Sequence, residues 1–91
     1  IAPLIRVKNF DESIAVANNS RFGLQTGLLT NNLERVISAS KKIQSGAIVV
    51  NGHPGFRAEN LPFGGVKESG LGREGVKYAI QEMTRIKTII V

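Results

Sequence analysis

The residues of this sequence that can do chemistry gather between Asn51 and Gly75, and few of them have a partner to do it with. Gly70-Leu71-Gly72-Arg73-Glu74-Gly75 has the spacing G-x-G-x-x-G and precedes a helical stretch. In a dinucleotide site such glycines follow a strand directly, so that the pyrophosphate meets the helix N-terminus, and an acidic ribose ligand follows about 20 residues on. Here the preceding residues are the polar run Val66-Lys67-Glu68-Ser69, and the ribose ligand would fall at or beyond Val91. The context argues against a dinucleotide site. His53 is the single histidine, and with no cysteine and no second histidine it has no metal set. It also has no nucleophile to serve as base. Glu68 and Glu74 read as a solvated loop carboxylate and a first-turn carboxylate favoured by the helix dipole. Ser69 lacks the G-x-S-x-G setting of a nucleophile elbow. Arg57, beside Phe56 in a loop of glycine and proline, has two readings. Its fork can bind an anionic group on a ligand, or it can serve caps and ion pairs at the surface.

The elements that must position these residues follow an alternation. Pro3 to Val7 is a short β-branched run and reads as a strand. Asn9 and Glu12 have capping-box spacing, with Phe10, Ile14 and Ala17 on one helical face and Asn18-Asn19-Ser20 at its end. Gly23 to Thr30 reads as a second strand. Asn31 and Glu34 form another capping pair, followed by the stripe Leu33, Val36, Ile37 and Ile43. Lys41 and Lys42 complement the dipole in the last turn, and Gly46 stands where a glycine ends a helix. Ala47 to Val50 is a continuous apolar strand. Strand, helix, strand, helix, strand predicts an α/β fold with parallel pairing. Asn51 to Gly72 holds six glycines and two prolines and reads as one long loop, of a kind that is functional or disordered. Val76, Ala79, Ile80 and Met83 restore helical spacing. Ile86 to Val91 is a closing strand that needs a partner, inside this chain or in another subunit.

Composition sets the outer bounds. Ninety-one residues with 42% hydrophobic content are a small globular domain or a piece of a larger one. A chain this short buries little more than about 60 % of the surface it exposes unfolded, so it is marginal alone. No apolar run reaches the roughly 20 residues of a membrane span. No signal peptide opens the sequence, and a cytoplasmic setting is the default expectation. The absence of a starting Met agrees with a fragment or a processed product. The net charge of +5 raises nucleic acid as a partner, but the cations are scattered among seven carboxylates. The five aromatic residues show no stacking pattern, so no nucleic-acid partner is expected.

Taken as one string, Leu61 to Gly75 resembles the P-F-G-G-x-K-x-S-G-x-G-R-E segment near the C-terminus of NAD(P)-dependent aldehyde dehydrogenases. Phe22-Gly23-Leu24 with Gly27 to Thr30 is similar to the family's Y/F-G-L-x-x-G-v-f-T. Ser45-Gly46 with Ile48 to Asn51 is similar to its a-G-x-v-x-v-N, and Ile86-Lys87-Thr88 to its closing x-K-t strand. Ile1-Ala2-Pro3 match the end of E-x-F-G-P, with Ile1 at the Phe position and Ala2 at the Gly position. Ile1 is thereby the candidate cofactor-binding residue, with a side chain that departs from the common form.

The resemblance implies oxidation of an aldehyde to a carboxylic acid with NAD or NADP. Thiolate attack, hydride transfer to nicotinamide and thioester hydrolysis follow in turn. The nucleophilic Cys, general-base Glu, oxyanion Asn and cofactor-binding Lys lie upstream, so these residues are expected to be inactive alone. The resemblance places residues 1–84 in the C-terminal part of the catalytic domain. It places 85–91 in an oligomerisation strand given to a neighbouring subunit. It assigns Phe63 to the aldehyde pocket and Asn51 to a structural role at a strand end. Phe56-Arg57-Ala58 resembles the branch acting on lactaldehyde or phosphorylated small aldehydes, which adds Arg57 to the substrate-binding candidates. The reading that stands apart from all this is a freestanding, self-associating interaction module.

Overall fold

The computed structural model describes residues 1–91. In chain order the elements are α1 (Phe10–Asn18), β1 (Phe22–Gly23), β2 (Gln25–Leu28), α2 (Leu33–Lys42), β3 (Ala47–Val50), β4 (Val66–Lys67) and α3 (Val76–Met83). The chain is mixed α/β, as its alternation predicts.

Asn9 caps α1 as expected. Its Oδ1 accepts from the Glu12 N–H at 2.9 Å, while the Glu12 carboxylate accepts from the Lys8 N–H. At α2 the cap falls one residue beyond the expected Asn31: Asn32 Oδ1 accepts from the Arg35 N–H at 3.1 Å. Ile14 of α1 and Ala39 of α2 are the two buried apolar side chains of the chain. Three polar ties bind the same pair of helices. Lys42 Nζ reaches Asp11 Oδ1 at 2.9 Å. Asn18 donates to the Lys42 carbonyl and accepts from the Gln44 N–H, both at 2.8 Å. One side chain at the end of α1 thus satisfies two backbone groups at the end of α2.

β2 and β3 pair in parallel, from Gln25 opposite Ala47 to Leu28 opposite Val50, with α2 as the crossover. This is the parallel β-α-β unit that the sequence predicts. The expected single strand from Gly23 to Thr30 is divided, because its two halves have different partners. β1 pairs antiparallel with β4, Phe22 opposite Lys67 and Gly23 opposite Val66. Leu24 stands at the junction, where the Gly46 N–H donates to the carbonyls of Gly23 and Leu24 at 3.1 and 3.0 Å.

That contact corrects the role of Gly46. Helix α2 ends four residues earlier, at Lys42, with Ile43 as its extended C-cap. Gly46 is needed for approach: a Cβ there would lie 2.7 Å from the Gly64 carbonyl carbon and nearer still to its oxygen.

The strand predicted at residues 3–7 is not formed, and Ile86 to Val91 finds no partner strand within this chain; both segments belong to no element. Both are apolar and exposed, and a strand without a neighbour has no ladder to stabilise it. The outer stripe of α3 is similarly uncovered, with Val76 and Met83 more than three-quarters exposed at 76% and 78%. Only 4 of 91 residues are buried, and the radius of gyration is 16.6 Å. A compact domain of this length has about 12 Å. Its apolar faces are therefore largely uncovered within these 91 residues. No helix is long and apolar enough to cross a membrane.

Candidate functional site

The loop after β3 folds back over that strand and encloses a cleft of about 270 Å³. Its floor is Ala47 to Val50 with Gln25 of β2, and its wall is Phe56, Arg57, Leu61, Pro62 and Phe63. The lining is mostly apolar, with one cation at its edge, as in a small-molecule site.

Local hydrogen bonds hold this loop in shape. The Phe56 N–H donates to the His53 carbonyl at 3.0 Å, and His53 Nδ1 accepts from the Gly55 N–H at 2.9 Å. His53 is thus a turn residue. Gln25 Nε2 donates to the Phe56 carbonyl at 3.0 Å, fastening the loop to the sheet. Phe63 is fixed from the other side. Its N–H donates to the Glu74 carbonyl at 3.1 Å, and the Glu74 N–H donates back at 2.6 Å.

Arg57 and Phe63, the two substrate-side candidates, are brought together. The guanidinium carbon lies 4.5 Å from the Phe63 ring centroid, an arrangement worth about 0.5–1 kcal/mol when exposed. Arg57 Nη2 also donates to Glu74 Oε2 at 2.7 Å. These side chains are 44% and 65% exposed, so solvent screening leaves the pair about 0–1 kcal/mol. Glu74 accordingly serves Arg57 and precedes α3, where a first-turn helix position was expected. Nothing in the spacing of residues 57 and 74 signals the pairing. The contact depends on the loop doubling back. Ile1 lies in the exposed opening segment and takes no part in this cleft.

The G-x-G-x-x-G run is a turn. Gly70, Gly72 and Gly75 all have positive φ, at 124°, 74° and 113°. The Arg73 N–H donates to Glu82 Oε1 at 3.0 Å, so a carboxylate already stands where a phosphate would have to bind. A Cβ on Gly72 would lie 2.8 Å from Glu82 Oε2. Arg73 Nη1 donates to the Gly65 and Gly72 carbonyls at 2.9 and 2.7 Å, locking the turn against the P-F-G-G stretch. These residues do not form a dinucleotide cradle.

The other polar residues of the region are structural. Ser69 Oγ accepts from the N–H of buried Gly23 at 2.9 Å. Glu68 pairs with Arg21 at 3.3 Å. Lys67 donates to the Asn18 and Ser20 carbonyls at 2.8 and 3.0 Å, at and just past the end of α1. No group of three His, Cys, Asp or Glu side chains is placed to hold a metal ion.

Residues 1–89 match the aldehyde dehydrogenase family. The chain belongs to that family. Relatives of this aldehyde dehydrogenase segment include a lactaldehyde dehydrogenase of Methanococcus maripaludis, 47% identical over 91 residues. A sulfoacetaldehyde dehydrogenase of Neptuniibacter caesariensis is 44% identical over the same length. In both cases the match covers 100% of this chain and 20% of the relative. The segment thus spans about a fifth of the length of the curated relatives it matches. Among solved structures it is similar to a glyceraldehyde-3-phosphate dehydrogenase of Methanocaldococcus jannaschii complexed with NADP. The TM-score is 0.85 at 46% identity, over 92% of this chain and 18% of that one. The α/β arrangement of this aldehyde dehydrogenase segment is that of the solved family members.

Proposed function

We propose that this segment forms the substrate-side wall of an NAD(P)-dependent enzyme oxidising a small aldehyde to a carboxylic acid. The single observation that supports this best is the cleft that joins Phe63 and Arg57, in a chain of the aldehyde dehydrogenase family. Phe63 and Leu61 offer an apolar surface to the carbon chain, and Arg57 offers N–H donors to its far end. Two relatives are named for anionic aldehydes, one bearing a sulfonate and one a phosphate. Together with the lactaldehyde dehydrogenase relative, they favour the branch acting on lactaldehyde or phosphorylated small aldehydes.

The nucleophile is supplied by residues outside these 91, since the chain contains no cysteine. When bound, NAD or NADP accepts the hydride of the aldehyde carbon. Within this segment only Ile1 is proposed to approach it. Ile86 to Val91 is proposed to pair with a neighbouring subunit of a homo-oligomer.

The test is reduction of NAD and of NADP by the full-length enzyme across a panel of neutral and anionic aldehydes, for the native protein and Phe63→Ala. Aldehyde-dependent reduction, with KM raised by the substitution, is the expected result. An enzyme indifferent to every aldehyde sinks the activity, and nicotinamide reduction by the 91 residues alone sinks their non-catalytic role.

The uncovered faces of α3 and of Ile86 to Val91 also favour a second reading, a non-catalytic module that associates with itself. Light scattering on the 91-residue chain, with and without Ile86 to Val91, separates the two. Concentration-dependent oligomers lost on truncation, with no aldehyde oxidation by the full-length protein, would favour the module.

A further inference from the structure

We infer that Glu74 is a positioning residue for substrate selection, holding the Arg57 guanidinium over Phe63 at the edge of the cleft. There its remaining N–H groups meet the anionic end of an aldehyde. The inference rests on the substrate reading of Arg57 given above and adds what aims that side chain.

Arg57 has one hydrogen bond to protein, from Nη2 to Glu74 Oε2 at 2.7 Å. A guanidinium carries five N–H donors in a rigid fork, so one partner orients it and leaves most of its donors free. Glu74 is itself fixed: its backbone exchanges two hydrogen bonds with Phe63, the residue whose ring lies under the guanidinium. Ring, acid and cation therefore form one unit. If the loop shifts by a fraction of an ångström, the cation moves with the ring. An arginine left free on a glycine-rich loop would have to be ordered by the ligand, at a cost in affinity that the Glu74 contact removes in advance.

The charge of Glu74 acts the other way, since it opposes an incoming anion. Both side chains are roughly half exposed, however, and water and salt screen that repulsion. Orientation outweighs it. What matters at position 74 is the reach of the acceptor oxygen more than its charge, and this separates positioning from electrostatic tuning.

The experiment uses the full-length enzyme with glyceraldehyde 3-phosphate and glyceraldehyde as matched anionic and neutral probes. It compares Glu74→Gln, Glu74→Asp, Glu74→Ala and Arg57→Ala, with a thermal melt for each variant. Glu74→Asp keeps the charge and withdraws the oxygen by one methylene, whereas Glu74→Gln keeps the reach without the charge. Glu74→Asp and Glu74→Ala should raise KM for the phosphorylated probe by about five-fold, the effect of losing the one hydrogen bond that orients Arg57. The KM for glyceraldehyde and kcat for both probes should stay within about two-fold, and Glu74→Gln should behave as the native enzyme. The inference is overturned if Glu74→Gln is impaired while Glu74→Asp is not, if both probes weaken together, or if Glu74→Ala lowers KM for the phosphorylated one. Because Glu74→Gln preserves shape, it remains informative where the alanine variant does not fold. Arg57→Ala separates the two layers: discrimination unchanged there ends the substrate reading of Arg57. Discrimination lost there but insensitive to every Glu74 variant ends the positioning role alone.

Discussion

Asn51 and Thr30 exchange two hydrogen bonds, the Thr30 N–H donating to Oδ1 at 2.9 Å and Nδ2 donating to the Thr30 carbonyl at 2.8 Å. One amide side chain thereby closes the C-terminal ends of the parallel strands β2 and β3, where the ladder would otherwise fray. The Asn51 N–H adds a third bond, to the Leu28 carbonyl at 2.8 Å. The residue achieves this with φ at 53°, in the left-handed region that asparagine tolerates better than most. The site loop begins at the next residue, so the clamp sets where the loop departs from the cleft floor.

Replacing Asn51 with Ala should remove both side-chain bonds and place an intolerant residue at positive φ. Two net hydrogen bonds of about 1 kcal/mol each, with about 1 kcal/mol of strain, predict a loss of roughly 3 kcal/mol. Asn51→Gly keeps the backbone comfortable and should lose about 1 kcal/mol less. Calorimetric melting of the full-length enzyme compares the two. Equal midpoints would remove backbone strain from the account.

Gly46 makes a sharper demand. Its Cα faces the Gly64 carbonyl and the Leu24 carbonyl oxygen, and an added Cβ would stand 3.0 Å from the latter while overlapping the former. Neither neighbour is a movable side-chain tip. Gly46→Ala should therefore pry the P-F-G-G stretch from the β1–β2 junction and disorder Phe63. The expected outcome is insoluble protein, or soluble protein cut by protease between Asn51 and Gly75. A variant that expresses, melts and turns over like the native enzyme would show that the backbone contact is dispensable.

The sequence made short-range chemistry legible and left long-range pairing hidden. Asn9, three residues before Glu12, announces α1, and the apolar run Ala47 to Val50 announces β3, because caps and short apolar runs are written within a few residues. The cap of α2 is Asn32 and not the expected Asn31, because the two are chemically equivalent and only the fold decides which one caps the helix. Pro3 to Val7 had the composition of a strand but not a partner, and propensity without a ladder makes none. Leu24 interrupts the second strand because β1 and β2 face different neighbours, which no local pattern encodes. Arg57 and Phe63, which residue type and the surrounding string single out as candidates, do meet at one cleft. Glu74 is not singled out in this way, since its pairing crosses the Gly-rich loop.

The turn at Gly72 offers a test of whether the G-x-G-x-x-G run contacts a nucleotide. Its φ is 74°, and a Cβ there would press against both Glu82 carboxylate oxygens, at 2.8 and 3.0 Å. Gly72→Ala should lower the melting point of the full-length enzyme by several degrees, consistent with about 1–2 kcal/mol of strain. It should leave the KM values for NAD and NADP within about two-fold, because the loop amide serves Glu82 and not a phosphate. A selective rise in cofactor KM, with the melting point unchanged, would reinstate the G-x-G-x-x-G run as a nucleotide contact.

The closing run Ile86 to Val91 is the least satisfied part of the chain. Ile86 and Ile90 are 100% and 92% exposed, and none of the six residues enters a hydrogen-bonded ladder. A β-branched segment with free N–H and C=O groups along its length is a template for strand addition. If a neighbouring subunit supplies the edge, deleting residues 86–91 from the full-length enzyme should lower its oligomeric state. Light scattering coupled to size exclusion reads this directly. The monomeric or dimeric remainder should keep the 51–75 loop folded, because the ties at Gln25, Glu74 and Gly46 lie outside the deleted segment. A truncated enzyme with unchanged mass in solution would show that the run docks within its own subunit.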